Sequence, residues 1–114
     1  MKLSVKFYKS DSGKSPVEKW LSGLFEKDRM IVLEDIKTVQ YGFPIGMPLV
    51  KPFGDNLWEI RSRLGNAIAR IFFTLYEDNI ILLHGFVKKS QKTPLSDIRL
   101  AKKRKGKFYE DRKT

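Results

Sequence analysis

Residues 57–88 read LWEIRSR, LGN, AIARIFFTLY, ED, NIILLHGFVK: three apolar runs at 57–63, 67–76 and 79–88, parted by turn-type residues. β-branched and aromatic side chains suit a pleated, half-buried surface, and connections this short make hairpins, so the stretch predicts a three-stranded antiparallel meander. Successive side chains in a strand point to opposite faces, which sorts each run onto two sides. In the middle run Ala69, Ile71, Phe73 and Leu75 form a wholly apolar side that belongs to a core. Its other side carries Ile68, Arg70, Phe72, Thr74 and Tyr76. The same division sets Trp58, Ile60 and Ser62 against Glu59, Arg61 and Arg63, and Ile81, Leu83, Gly85 and Val87 against His84, Phe86 and Lys88. One consistent register then aligns Glu59, Arg61, Arg63, Arg70, Phe72, His84, Phe86 and Lys88 on a single exposed face, basic with aromatic rings between the charges.

Upstream, KLSVKFY (2–8) alternates and places Leu3, Val5 and Phe7 on one side of a first strand. Ser15, Pro16 and Glu18 supply an N-cap, a proline at the first helical position and a capping-box acid for a short helix through Val17, Trp20, Leu21 and Leu24. From Phe25, Val32, Leu33, Ile36 and Val39 recur at helical spacing until Gly42 and Pro44 stop the run, which predicts a longer amphipathic helix. The stretch GFPIGMPLVKPFGD (42–55) holds three prolines and three glycines and reads as a connecting loop. Downstream, Thr93 and Pro94 cap a last helix whose Leu95, Ile98 and Ala101 can dock on the sheet. The order strand, helix, helix, three strands, helix defines a single α+β domain over 1–114, a mostly antiparallel sheet with helices packed on one face.

The chain has 23 Lys and Arg against 13 Asp and Glu, a net charge of +10, which favours polyanionic partners. Residues 99–114 hold eight basic and two acidic residues and so carry six of those ten charges. That basic C-terminal segment either grips nucleic acid or is a solvated, solubilising helix face. With no cysteine and one histidine, thiol catalysis, disulfides and a His/Cys zinc site are excluded, and the composition fits a reducing compartment. No apolar run reaches the length of a membrane span and the N-terminus has no signal-peptide core, so the expectation is a cytoplasmic protein without metal or cofactor. Phosphate-binding glycine loops, HExxH and Ser/His/Asp sets are all missing from the sequence. DNA binding by this chain itself is disfavoured because no recognition-helix pattern stands out.

A basic face with interleaved aromatics suits single-stranded RNA, because cations hold phosphates while rings and guanidinium planes stack on unpaired bases. An ordinary solvated face with Arg/Glu cross-strand pairs is the competing reading. Glu59 is the sole carboxylate on the face and serves either as a base or as an ion-pair partner of Arg61 or Arg70. His84 alone has an ordinary pKa near neutrality, and is either a proton-transfer group or a structural residue.

LWEIRSR, a tight turn, ARIFFTLY, then ILLHGFVKKSQKTP and a Lys/Arg-rich helix resemble the phage-related HigB-like branch of the RelE superfamily of type II toxins. The resemblance covers nearly the whole chain. It implies a metal-free endoribonuclease that cleaves mRNA at the decoding site of the small ribosomal subunit, and a co-encoded helix-turn-helix antitoxin of the HigA type through which DNA is bound. It further implies a phosphate-clamping role for Arg70, backbone-holding roles for Arg61 and Arg63, and phosphorane stabilisation or proton donation by Lys88, Lys89 or Lys92. Phe72 and Phe86 would stack on bases, while Lys102, Lys103, Arg104 and Lys105 would grip ribosomal RNA or become ordered on binding. Members of that superfamily place a histidine or tyrosine near the end of the last strand or in the final helix; here Tyr109 would have to fold back to fill the place. A non-catalytic RNA- or ribosome-binding protein is the alternative that uses the same face.

Overall fold

The computed structural model describes residues 2–113. The chain forms β1 (Ser4–Phe7), α1 (Pro16–Ser22), α2 (Glu26–Gly42), β2 (Val50–Gly54), β3 (Leu57–Leu64), β4 (Ala67–Tyr76), β5 (Asn79–Lys88) and α3 (Leu95–Glu110). Pro16 opens α1 behind Ser15, whose backbone is extended as an N-cap requires, although its hydroxyl makes no capping bond. Along α2, Val32, Ile36 and Val39 are buried at spacings of four and three, the inward stripe of an amphipathic helix. Leu33 falls outside that stripe and is exposed.

The proline-rich 42–55 stretch is not wholly a loop: its second half is β2, paired antiparallel to β3. Asp55 and Asn56 both have positive φ (50° and 58°), the pairing of a two-residue type I′ hairpin turn, and Asn is a residue that tolerates it. Pro52 pairs with Trp58 and is accommodated because β2 lies at the sheet edge, where a missing N–H leaves no internal ladder broken.

The five strands run in the order β1-β5-β4-β3-β2. Among the described residues only the β1–β5 pair is parallel; β2 to β5 form the expected antiparallel meander, extended by one strand. On one side of the sheet, Val17 and Leu21 of α1 and Val32, Ile36 and Val39 of α2 pack on Ile60, Ala69, Ile71, Phe73, Ile80 and Leu82. Each such Val, Leu, Ile or Phe side chain removed from water contributes about 1.5–3 kcal/mol before entropy is counted. Gly85 belongs to this side, and the Trp20 indole occupies the space a Cβ there would need.

The helices do not all lie on that face. Ala101 and Phe108 of α3 pack on the opposite side with Tyr8, Leu57, Phe72, Ile81 and Leu83. The amphipathic pattern of residues 95–108 specifies that α3 docks, not on which face, and the other face was already filled by α1 and α2. The strict alternation expected of 79–88 also breaks. Phe72 pairs with His84 but Phe73 with Leu82, leaving Leu83 as an extra residue. This bulge puts Ile81 and Leu83 on the same side as His84 and Phe86, where α3 covers them. Among the described residues no helix is long and apolar enough to cross a membrane.

Candidate nucleic-acid interface

The register of the meander sets Arg61 of β3 directly opposite Arg70 of β4. Like charges across a strand pair repel, so the arrangement needs a counter-charge. Glu59, two residues before Arg61 and on the same side, supplies it: Oε1 lies 3.0 Å from Arg61 Nε and 3.8 Å from Arg70 Nη1. Thr93, at the end of the β5–α3 loop, joins the group. Arg70 Nη1 donates to its hydroxyl at 2.9 Å, and the hydroxyl donates to Glu59 Oε2 at 2.8 Å. Arg70 Nη2 also donates to the Ser90 carbonyl, and Arg61 Nη2 to the Gln91 carbonyl. Two strand arginines thus hold the backbone of a loop that carries Lys89 and Lys92.

This cluster is covered, contrary to the open face that alternation implies. Glu59, Arg70 and Phe72 have no exposed surface, and Arg61 keeps only 10% of its side chain in contact with solvent. The cover is the 89–94 loop above Arg70 and α3 above Phe72. Burial pushes the Arg70 pKa below its ordinary value, and the neighbouring Arg61 adds to that, with Glu59 opposing both. Arg63, Lys88, Lys89 and Lys92 remain exposed around the cluster.

Beside it lies a stack. The Phe72 ring is 6.5 Å from His84 at 4° between planes and 6.4 Å from Phe86, with His84 and Phe86 5.2 Å apart. Phe53 of β2 closes on Phe72 edge-on at 5.2 Å. His84 and Phe86 are half-buried and form the outer members. His84 Nε2 donates to Asp97 Oδ1 at 2.7 Å, which leaves Nδ1 as the basic nitrogen. Burial pushes the His84 pKa below its ordinary value; the Asp97 hydrogen bond and charge oppose this, and Arg104 reinforces it. The net effect favours the neutral imidazole.

The basic C-terminal segment is helical through Glu110 and does not present one cationic surface. Consecutive helical residues point about 100° apart, so the run 102–105 is spread around α3. Lys102 and Lys103 face solvent. Arg104 turns inward, donating to the Leu83 carbonyl at 2.9 Å with its guanidinium 6.0 Å from the Tyr8 ring centre. Lys105 donates to the Asp55 carbonyl in the β2–β3 turn. Tyr109 does not fold back toward Arg70: its hydroxyl donates to the Leu75 carbonyl and accepts from Asn56 Nδ2 at 2.8 Å, at the far end of β4.

Three residues of this region are not marked by the sequence pattern. Thr93 reads as a helix cap, yet Pro94 takes the N-cap position and the threonine hydroxyl goes to the arginine cluster. Asp97 reads as a first-turn helix acid, and its pairing with the lone histidine depends on where α3 crosses the sheet. Tyr8 directly follows β1 and becomes a floor beneath α3. Among the described residues no group of three or more His, Asp or Glu is placed to hold a metal ion.

Residues 19–106 match the family of phage-derived Gp49-like proteins (DUF891), and the chain belongs to that family. The family is one of RelE/ParE-like toxins, associated with toxin–antitoxin systems and so implying an antitoxin partner. The α+β architecture, a five-stranded mostly antiparallel sheet with three helices, is consistent with a RelE-like fold. No match was found among curated proteins.

Proposed function

We propose that the chain is the toxin of a type II pair in the HigB-like branch: a cytoplasmic, metal-independent endoribonuclease that cleaves mRNA on the small ribosomal subunit and is neutralised by a HigA-like helix-turn-helix antitoxin. The observation that carries this reading is the loop of exposed lysines pinned to the sheet by Arg61 and Arg70. Phosphate recognition gains from cations carried on a fixed backbone, and the Arg61 and Arg70 bonds tie down the loop that carries Lys89 and Lys92.

In the reaction the ribose 2′-oxygen attacks the adjacent phosphorus, the bond to the 5′-oxygen breaks, and a 2′,3′-cyclic phosphate and a 5′-hydroxyl result. One proton leaves the 2′-hydroxyl and one reaches the departing oxygen. Lys88, Lys89, Lys92, Arg61 and Arg63 supply charge to the phosphorane, the ammonium of one of the three lysines gives the departing 5′-oxygen its proton, and His84 takes the 2′-hydroxyl proton on its free ring nitrogen. Arg70 and Glu59 act in this conformation by fixing the loop, because neither is open to solvent. Phe86, half-exposed, is the ring available for stacking. Lys102 and Lys103 add cationic surface, while Arg104 and Lys105 hold α3.

The complete burial of Arg70 also favours a second reading, an RNA- or ribosome-binding protein without catalysis. Inducible expression without an antitoxin, followed by mapping of mRNA 5′ ends, separates the two. Growth arrest with new 5′ ends inside translated frames supports the toxin. Arrest with intact transcripts supports the binding protein, and unaffected growth and transcripts sink both.

A further inference from the structure

Beside the arginine cluster, α2, the segment before β2, β3, β4 and the β5–α3 loop converge on a pocket of about 300 Å³. That is the lower end of the range of small-molecule sites, room for one flat ring and not for a peptide. Met47, Pro48, Leu49 and Ile68 give it apolar walls, and the Leu49 carbonyl accepts the Arg61 N–H at 2.8 Å, which ties one wall to β3. Its polar groups are Asp35 of α2, Arg61 and Arg63 of β3, and Gln91 of the loop. Arg61 is bound to Glu59 and to the Gln91 carbonyl, and this fixes Gln91 at the rim. Asp35, half-buried, and Arg63, exposed, enter no ion pair among the described residues. Across the sheet Arg63 pairs with Ile68 and Ile68 with Lys88, so the pocket lies one strand, about 5 Å, from the backbone of Lys88.

We infer that this pocket seats a guanine base of the RNA strand, with Asp35 and Gln91 reading its edge. Any base has apolar faces for the walls, so the edge decides which one fits. An ionised carboxylate only accepts hydrogen bonds. Guanine alone among the four RNA bases presents two adjacent donors, N1–H and N2–H₂, to such a group, and its O6 beside them accepts from the Gln91 amide. Arg63 at the mouth and Lys88 one strand away then meet the phosphate of the same nucleotide. A free phosphate fits the pocket poorly, because Asp35 repels an anion and the apolar walls stay wet. The inference rests on the RNA-cleavage reading for the strand that brings the base, and adds to it a base preference and the residues that set it.

The test titrates the full chain with the monophosphates of guanosine, adenosine, cytidine and uridine, and with inorganic phosphate, following amide NMR shifts. The expected result is saturable shifts at Leu49, Ile68 and Gln91 with guanosine monophosphate, about tenfold tighter than with the other nucleotides. Asp35→Asn offers one donor and one acceptor, the match of adenine, so it should weaken guanosine monophosphate about tenfold and transfer the preference to adenosine monophosphate. Glu34→Gln, the same charge change at an exposed position of α2, should leave the order unchanged. Gln91→Ala should also weaken guanosine monophosphate, and it answers the question on the loop if the helix variant does not fold. Absence of shifts at these residues, equal binding of all the nucleotides, or a guanine preference that survives both Asp35→Asn and Gln91→Ala overturns the proposal. So does inorganic phosphate that reproduces the shifts, which assigns the pocket to an anion. None of these outcomes involves cleavage or the ribosome, whereas the toxin reading stands or falls on growth and transcripts during expression.

Discussion

The Arg70 guanidinium donates from Nη1 to Thr93 Oγ1 at 2.9 Å, fastening the central strand to the β5–α3 loop just before the N-cap Pro94. The one hydroxyl proton goes onward to Glu59 Oε2, so the threonine accepts from a buried cation and donates to a buried anion at once. Thr93→Val keeps the shape and removes both bonds, leaving two buried charged groups each short of a partner. The expected cost is about 1–3 kcal/mol, lowering the melting temperature by roughly 4 °C or more. Thr93→Ser should recover most of it. Calorimetry of the three proteins decides, and a Val variant that melts with the parent would show that the hydroxyl bonds contribute nothing net.

Burial of His84 predicts the sign of a pH dependence of stability. Its folded pKa is lowered, chiefly by burial, below the value near 6.5 of an unfolded chain. Between those two values the unfolded chain binds more protons, so stability is fully present above about pH 6.5 and is lost as pH falls through the interval. The urea midpoint should therefore drop between about pH 7.5 and 5.5, and His84→Gln should flatten that drop. An unchanged pH slope in the variant would place the dependence in other groups.

The meander was legible in the sequence because β3, β4 and β5 are long, strongly patterned and joined by short turns. β2 was not, because Pro52 and Gly54 obscure a strand that only an edge position permits, and the positive-φ pair Asp55-Asn56 has no glycine. The side assignment of Arg61, Arg70, Phe72, His84 and Phe86 followed from period two alone. Their exposure did not, since it depends on α3 and the 89–94 loop crossing that side, and those crossings are long-range packing. The Leu83 bulge is likewise set by register between two strands and has no local signature.

Gly85 tests the packing of α1 on β5. A Cβ there would stand 2.4 Å from Trp20 Cε3 and 2.6 Å from Cζ3, closer than carbon atoms tolerate. Gly85→Ala should cost about 1–3 kcal/mol through displacement of the indole. In a double-mutant cycle with Trp20→Leu, the alanine should cost less in the leucine background, because the clashing ring is gone. Additive costs would mean that the backbone at Gly85, and not the indole, sets the penalty.

Salt dependence distinguishes lysines that meet phosphate from those that hold the fold. Each phosphate contact to single-stranded RNA contributes about 0.7 to the slope of log affinity against log salt. Lys88, Lys89 and Lys92 are exposed at the end of β5 and on the anchored loop, while Lys105 is spent on the Asp55 carbonyl. Alanine at any of the first three that touches phosphate should lower the slope by about that amount, whereas Lys105→Ala should leave the slope unchanged and lower the melting temperature. Slopes that fall equally for all four would mean that RNA senses only the total charge, and the anchored loop would lose its claim to be the phosphate site.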